Sequence, residues 1–248
     1  MSFLPTPRRL SATPLASLPA VVIDTETTGL DAAHDHVVEI GAVRLTGGEA
    51  GETYSTLVRP GIAIPPMSSK IHGIHDADVA DAPDFVDAAA AFSAWIGPAI
   101  VLGFSIGFDL AILKAEHERH GLAWKEPRSL DVQHLVELVG PELPELSLEL
   151  AAEWLGIKVA NRHRALPDAL LTGRVFLALV TKLRERGITT LAQAERAARA
   201  VTGRHDEDAR LGLQAVGLLG EPSGGVAEYA RIDSFPYRHR VSELMRTP

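Results

Sequence analysis

The chain has 248 residues, 46% of them apolar, enough for one large domain or for a domain of about 150–200 residues with an appendage. It contains no cysteine, which excludes disulfides, thiolate metal sites and a cysteine nucleophile; any metal must be held by oxygen and imidazole, a set suited to Mg²⁺ or Mn²⁺. The formal net charge is −8, with 13 Lys/Arg against 23 Asp/Glu in residues 1–181 and 11 against 9 in residues 182–248, so no strongly basic footprint marks a long nucleic-acid groove.

Residues 1–19 hold Arg8, Arg9 and no acid, and Pro5, Pro7, Pro14 and Pro19 argue against the amphipathic helix of a transit peptide. They are expected to form a flexible leader. No apolar run approaches the roughly 20 residues of a membrane span; no membrane contact and a cytoplasmic location are expected.

The run Ala20–Ile23 reads as a buried strand ending in Asp24. Val37–Leu45 and Thr53–Val58 follow as strands around the Gly47-Gly48 turn, giving a three-strand meander with the first strand central. Pro65-Pro66 marks a loop. Apolar spacing predicts a helix over Asp84–Ile96, a strand over Ala99–Gly103, and a helix over Asp109–His120 closed by Gly121. Arg128–Val132 reads as a short strand leading into a helix, Ser147 caps a helix through Leu155, and Pro167 opens a long helix to about Arg184. This order implies a mixed α/β sheet with helices on its faces. The expected domain covers 20–185, with a helical extension over 186–220 and a linker and tail over 221–248.

Three motifs carry chemistry. Asp24-Thr25-Glu26-Thr27-Thr28-Gly29-Leu30 places two carboxylates at i and i+2 of a strand end, on one face. Adjacent acids repel near a core, and a divalent cation between them removes that cost; a solvated strand-to-turn junction is the alternative. In Phe104-Ser105-Ile106-Gly107-Phe108-Asp109-Leu110, Asp109 sits where a capping or first-turn acid belongs. In His163-Arg164-Ala165-Leu166-Pro167-Asp168, the carboxylate lies near a helix N-terminus and the imidazole in the loop before it. A capping Asp and a surface His would read the same way. All three motifs fall at the ends of predicted elements, where sites concentrate.

Taken together, these residues resemble the DEDDh (DnaQ-like) 3′→5′ exonuclease family, which includes the proofreading epsilon subunit of bacterial DNA polymerase III. Asp24 and Glu26 match its first motif, Asp109 its second, and His163 with Asp168 its third. The likeness runs from about Val21 to Leu179 and includes Lys70-Ile71-His72-Gly73-Ile74. It departs at Gly103-Phe104-Ser105, where the family often has Gly-His-Asn, which bears on the support of that loop.

The resemblance implies an RNase H-like fold and a metal-dependent nuclease releasing 5′-mononucleotides from the 3′ end of a nucleic acid, DNA rather than RNA and single-stranded. Two Mg²⁺ or Mn²⁺ ions about 3.5–4 Å apart are the expected cofactors. Asp24 is expected to be shared between them, with Glu26 and Asp168 on one, while the resemblance assigns Asp109 to the other. His163 is the candidate general base, since an imidazole pKa near ~6.5 suits proton transfer near neutral pH. Thr27, Leu30, His72 and Phe108 are candidate substrate contacts, with core packing an equal reading for Leu30 and Phe108. A ribonuclease with the same motifs, and a nuclease tethered to a nucleotide-sensing module, are the other readings. The last, Val241–Pro248, resembles the opening of a CBS domain, so a CBS-domain partner stands beside a polymerase partner.

Overall fold

The computed structural model describes residues 10–140, 146–160 and 162–203. Five strands form one sheet: β1 (Ala20–Thr27), β2 (Val37–Thr46), β3 (Glu49–Leu57), β4 (Ile100–Gly103) and β5 (Ser129–Asp131), in the order β3-β2-β1-β4-β5. The first three are antiparallel; β4 and β5 add in parallel on the other side of β1. β1 is therefore central, as expected, and all eight of its residues are buried.

Strand alternation divides the core. Val22 points to one face, with Val43, Leu45, Leu102 and Phe176; Val21 and Ile23 point to the other, with Phe85, Phe92, Phe108 and Ile112. Each fully buried Leu or Phe contributes about 1.5–3 kcal/mol, so both faces must be covered. The long helix α7 (Ala165–Glu185) covers the first face, together with α5 (Val132–Val139) and α6 (Leu148–Trp154). The second is covered by α3 (Phe85–Ile96) and α4 (Ile106–Arg119). This is the RNase H-like mixed sheet flanked by helices.

Two expectations are corrected. The leader is not free from residue 10 onward: Leu15 and Leu18 are buried in the first core, and the chain bridges to the far end of the domain through Pro14 and Thr190. The Leu15 N–H donates to Thr189 O at 2.9 Å, and the Leu191 N–H donates to Thr13 O at 3.1 Å. Pro65-Pro66 opens helix α1 (Pro66–His72) rather than a loop, since proline fits the first helical position, where no N–H is needed. A single-turn helix, α2 (Asp76–Val79), follows.

The helical extension is present over 191–203, and Leu191, Ala194 and Ala198 join the same core as α7. Arg128 pairs with Glu195 at 2.6 Å, tying that helix to the segment before β5. Residues 1–9, 204–220, the linker and tail over 221–248, and the CBS-like Val241–Pro248 lie outside the described residues.

Candidate active site

β1 builds the floor. Asp24 and Glu26 alternate onto the α7 face, where both are buried. α7 delivers Asp168 in its first turn, with its N–H bonded to Arg164 O at 3.0 Å. Among the described residues, Asp24, Glu26 and Asp168 each offer a ligand oxygen, and all three oxygens lie within 4.8 Å of one another. At that separation each pair of carboxylates repels by roughly 3 kcal/mol at an effective protein dielectric. Burial pushes the Asp168 carboxyl above its usual range, against the pull of Arg162 and His163. Its Oδ1 is buried without a hydrogen-bond partner among the described residues.

An all-oxygen, electron-rich, partly orphaned donor set fits a hard divalent cation. Asp24, Glu26 and Asp168 are the residues that would hold one.

Asp109 takes a different place. It is 1% exposed on α4, behind the strand, where its Oδ1 accepts the Thr25 N–H at 2.9 Å and the Thr25 hydroxyl at 2.7 Å. Thr25 lies between Asp24 and Glu26 and points to the opposite face, so Asp109 braces the backbone that spaces them. The structure brings three of the four acids together and sets the fourth one residue behind them.

His163 faces the same cleft as Asp24, Glu26 and Asp168. Its backbone is left-handed, at φ 61°, and its N–H donates to Asp168 Oδ2 at 3.0 Å. A non-glycine residue in this region costs on the order of 1–2 kcal/mol, so the loop is held by what surrounds it. Glu39 of β2 does part of this. It accepts from Arg164 Nη2 at 2.7 Å, from Arg164 Nε at 3.0 Å and from the Ala165 N–H at 2.9 Å.

Thr27, Leu30 and His72 line the cleft. His72 Nδ1 accepts the Ile74 N–H at 3.0 Å. Burial drives the pKa of His72 down to about 4, against Thr27 and Glu39, which favour its charged form, so it is neutral near pH 7. For Phe108, of the two readings, the structure shows core packing: it is 1% exposed and lies in the second core. Phe104, at the departure from the family pattern, lines the cleft instead. The loop beside it is held by Ser105, whose N–H donates to Asp131 Oδ1 at 3.1 Å and whose hydroxyl donates to Gln133 Oε1 at 3.0 Å.

Sequence reasoning also missed Arg162, Ser68 and Leu148 on the cleft wall. Ser68 accounts for α1: its hydroxyl donates to Thr28 O at 2.5 Å and fastens that helix to the end of β1. Only the position of Arg162 beside His163 could have signalled it.

A deep sheet carrying paired acids on its central strand, completed by a histidine and an acid at the start of the last long helix, defines a nuclease-type centre. A family model described as exonuclease matches residues 21–176, spanning all five motif residues. The chain belongs to this exonuclease family, in its DnaQ-like branch. It is 38% identical over 186 residues to a DNA polymerase III subunit epsilon-like protein of Rhodobacter capsulatus, covering 73% of this chain and 26% of that protein. It is 35% identical over 164 residues to DNA polymerase III subunit epsilon of Aquifex aeolicus, covering 66% of this chain and 81% of that one. Against the PolC-type DNA polymerase III of Caldanaerobacter subterraneus, at 32% identity, the match covers 70% of this chain and 12% of that protein. The chain thus spans only 26% and 12% of the length of two of these relatives.

Exonuclease X in complex with 5′ overhanging duplex DNA aligns with a TM-score of 0.57 and 25% identity, over 72% of this chain and 99% of that one. E. coli Exonuclease I in complex with a dT13 oligonucleotide shares the fold, with a TM-score of 0.59 at 20% identity over 68% of this chain and 42% of that one.

Proposed function

We propose that the chain is a metal-dependent 3′→5′ exonuclease that releases 5′-mononucleotides from DNA ends, preferring single strands. The observation that carries this is the convergence of Asp24, Glu26 and Asp168 with His163 in one cleft. Divalent cations bound there would supply Lewis-acid polarisation of the scissile phosphate and neutralise charge on the leaving 3′-oxygen.

The chain's own residues do the rest. His163 takes a proton from the attacking water as the new P–O bond forms and the P–O3′ bond breaks. Asp109 keeps the spacing of Asp24 and Glu26 through Thr25, and by resemblance supports a second ion. Leu30 and Phe104 offer apolar faces to the terminal base, and neutral His72 is a hydrogen-bonding rather than a charged wall of the cleft. The acidic balance of residues 1–181 favours gripping a chain end over coating a duplex. The names of the relatives point to a polymerase assembly as partner.

Purified protein with Mn²⁺ should shorten 3′-hydroxyl single-stranded DNA, labelled at its 5′ end, one nucleotide at a time. Duplex DNA and RNA of the same sequence should be shortened more slowly. Cleavage of circular single-stranded DNA would overturn the exonuclease reading, and faster loss of RNA would reassign the substrate.

A further inference from the structure

The two oxygens of Asp168 have different surroundings. Oδ2 accepts the His163 N–H and pairs with Arg162 Nη1, while Oδ1 has no hydrogen-bond partner among the described residues. Arg162 in turn pairs through Nε with Glu149 Oε1, in the first turn of α6. The Arg162 side chain is 16% exposed, and its guanidinium lies between the two carboxylates. Burial opposes its charge, but Asp168 and Glu149 outweigh that and hold it protonated. Burial likewise opposes the charge on Glu149, and Arg162 brings its carboxyl below the usual range.

Core packing explains why α6 is present, through Ala151 and Ala152. It does not explain why a carboxylate from that helix reaches an arginine beside the metal-type cluster. A lone guanidinium there would orient Asp168 and at the same time repel a cation approaching it.

We propose that Glu149 and Arg162 form a charge-neutral positioning pair for Asp168: Arg162 fixes the carboxylate by Oδ2, and Glu149 cancels the guanidinium's charge so that a divalent cation is not repelled from Oδ1. This rests on the divalent-cation reading of Asp24, Glu26 and Asp168. Glu149 and Arg162 act through the ligand they position, as partners behind metal ligands commonly do.

The test is Mn²⁺ binding to the full chain, followed by the electron paramagnetic resonance signal of the free ion. Glu149→Gln removes the carboxylate that cancels the guanidinium's charge beside Asp168 and should weaken Mn²⁺ binding about 10–100-fold. Adding Arg162→Met to Glu149→Gln removes that charge and should recover part of the affinity, an outcome a merely structural tie would not produce. Glu149→Asp keeps the charge and should restore most of it. Glu149→Ala, alone and with Arg162→Met, repeats the comparison without leaving an amide behind.

Wild-type affinity in Glu149→Gln, or weaker binding in the double variant than in Glu149→Gln, overturns the pair. Asp168→Asn separates this from the reading beneath it. Loss of Mn²⁺ binding in Asp168→Asn upholds the cation site whatever the Glu149 variants do, and wild-type binding there overturns the cation site itself.

Discussion

Glu39 and Arg164 lie far apart in the chain, yet they meet at two hydrogen bonds of 2.7 and 3.0 Å, and the same carboxylate accepts the Ala165 N–H. Glu39 is 2% exposed and Arg164 46%. The asymmetry decides what each substitution does. Arg164→Ala leaves a buried carboxylate with only the Ala165 N–H, and should cost about 2–4 kcal/mol. Glu39→Ala removes that charge and strands the buried N–H at the start of α7, and should cost about 1–3 kcal/mol. Urea unfolding measures both; an unchanged stability in Arg164→Ala would contradict the pairing of a buried Glu39 carboxylate.

Gly41, two residues along β2, lets α7 come in that close. A Cβ there would stand 2.1 Å from Leu166 N and 2.2 Å from the Ala165 carbonyl carbon. Gly41→Ala must push the backbone of α7 away, at a cost of about 3 kcal/mol or more, and should lose nuclease activity with it. Gly51→Ala is the control, because its Cβ meets only Arg44 O at 3.6 Å, an ordinary contact, and should change little.

Cation binding should stabilise the folded state. At 100 times the dissociation constant the gain is about 2.7 kcal/mol, reversed by EDTA. Asp24→Asn removes repulsion together with a ligand. Its metal-free form should melt at or above the wild-type temperature, show little shift with Mn²⁺, and lose nearly all activity. A full Mn²⁺ shift in this variant would contradict the cluster's role.

His163→Ala should slow the reaction about 10²–10⁴-fold with Mn²⁺ affinity nearly unchanged. His163→Gly should be as slow, yet at least as stable as His163→Ala, because glycine meets the φ of 61° without strain. Wild-type rates in either variant at neutral pH would make the imidazole a bystander.

His72 gives the fold an acid sensitivity. Its folded pKa of about 4 lies below the unfolded value of 6.5, so the unfolded chain takes up the proton first as pH falls. Stability should be intact above pH 6.5 and decline by about 2–3 kcal/mol between pH 6.5 and 4 on this account alone. His72→Gln should flatten that part of the profile in urea titrations at successive pH values. An unchanged slope would assign it to other groups.

The strands and the main helices were legible because their apolar periods are clean and their ends carry Gly, Pro or Ser. The five motif residues were legible because their chemistry sits at those ends. α1 was not, since Pro65-Pro66 signals a loop as readily as a helix start and its seven residues hold too little period to decide. Leu15 and Leu18 went unread because their partners, Leu191 and Ala194 among them, come from the other end of the chain. Phe104 precedes α4 and Phe108 lies on it, both are buried, and only the docking of α4 decides which of them borders the cleft. Glu39, Glu149 and Arg162 look like ordinary surface charges until the fold brings them to α7.

Asp24 and Glu26 belong to the first strand, while Asp168 arrives on the last long helix of the family match, docked through Gly41 and Glu39. During synthesis the strand that carries the first two acids is out of the ribosome well before the third. Hydrolysis must therefore wait until nearly the whole domain has been made and closed. A chain interrupted before α7 lacks Asp168 and so cannot assemble the three-carboxylate cluster on which the proposed hydrolysis depends.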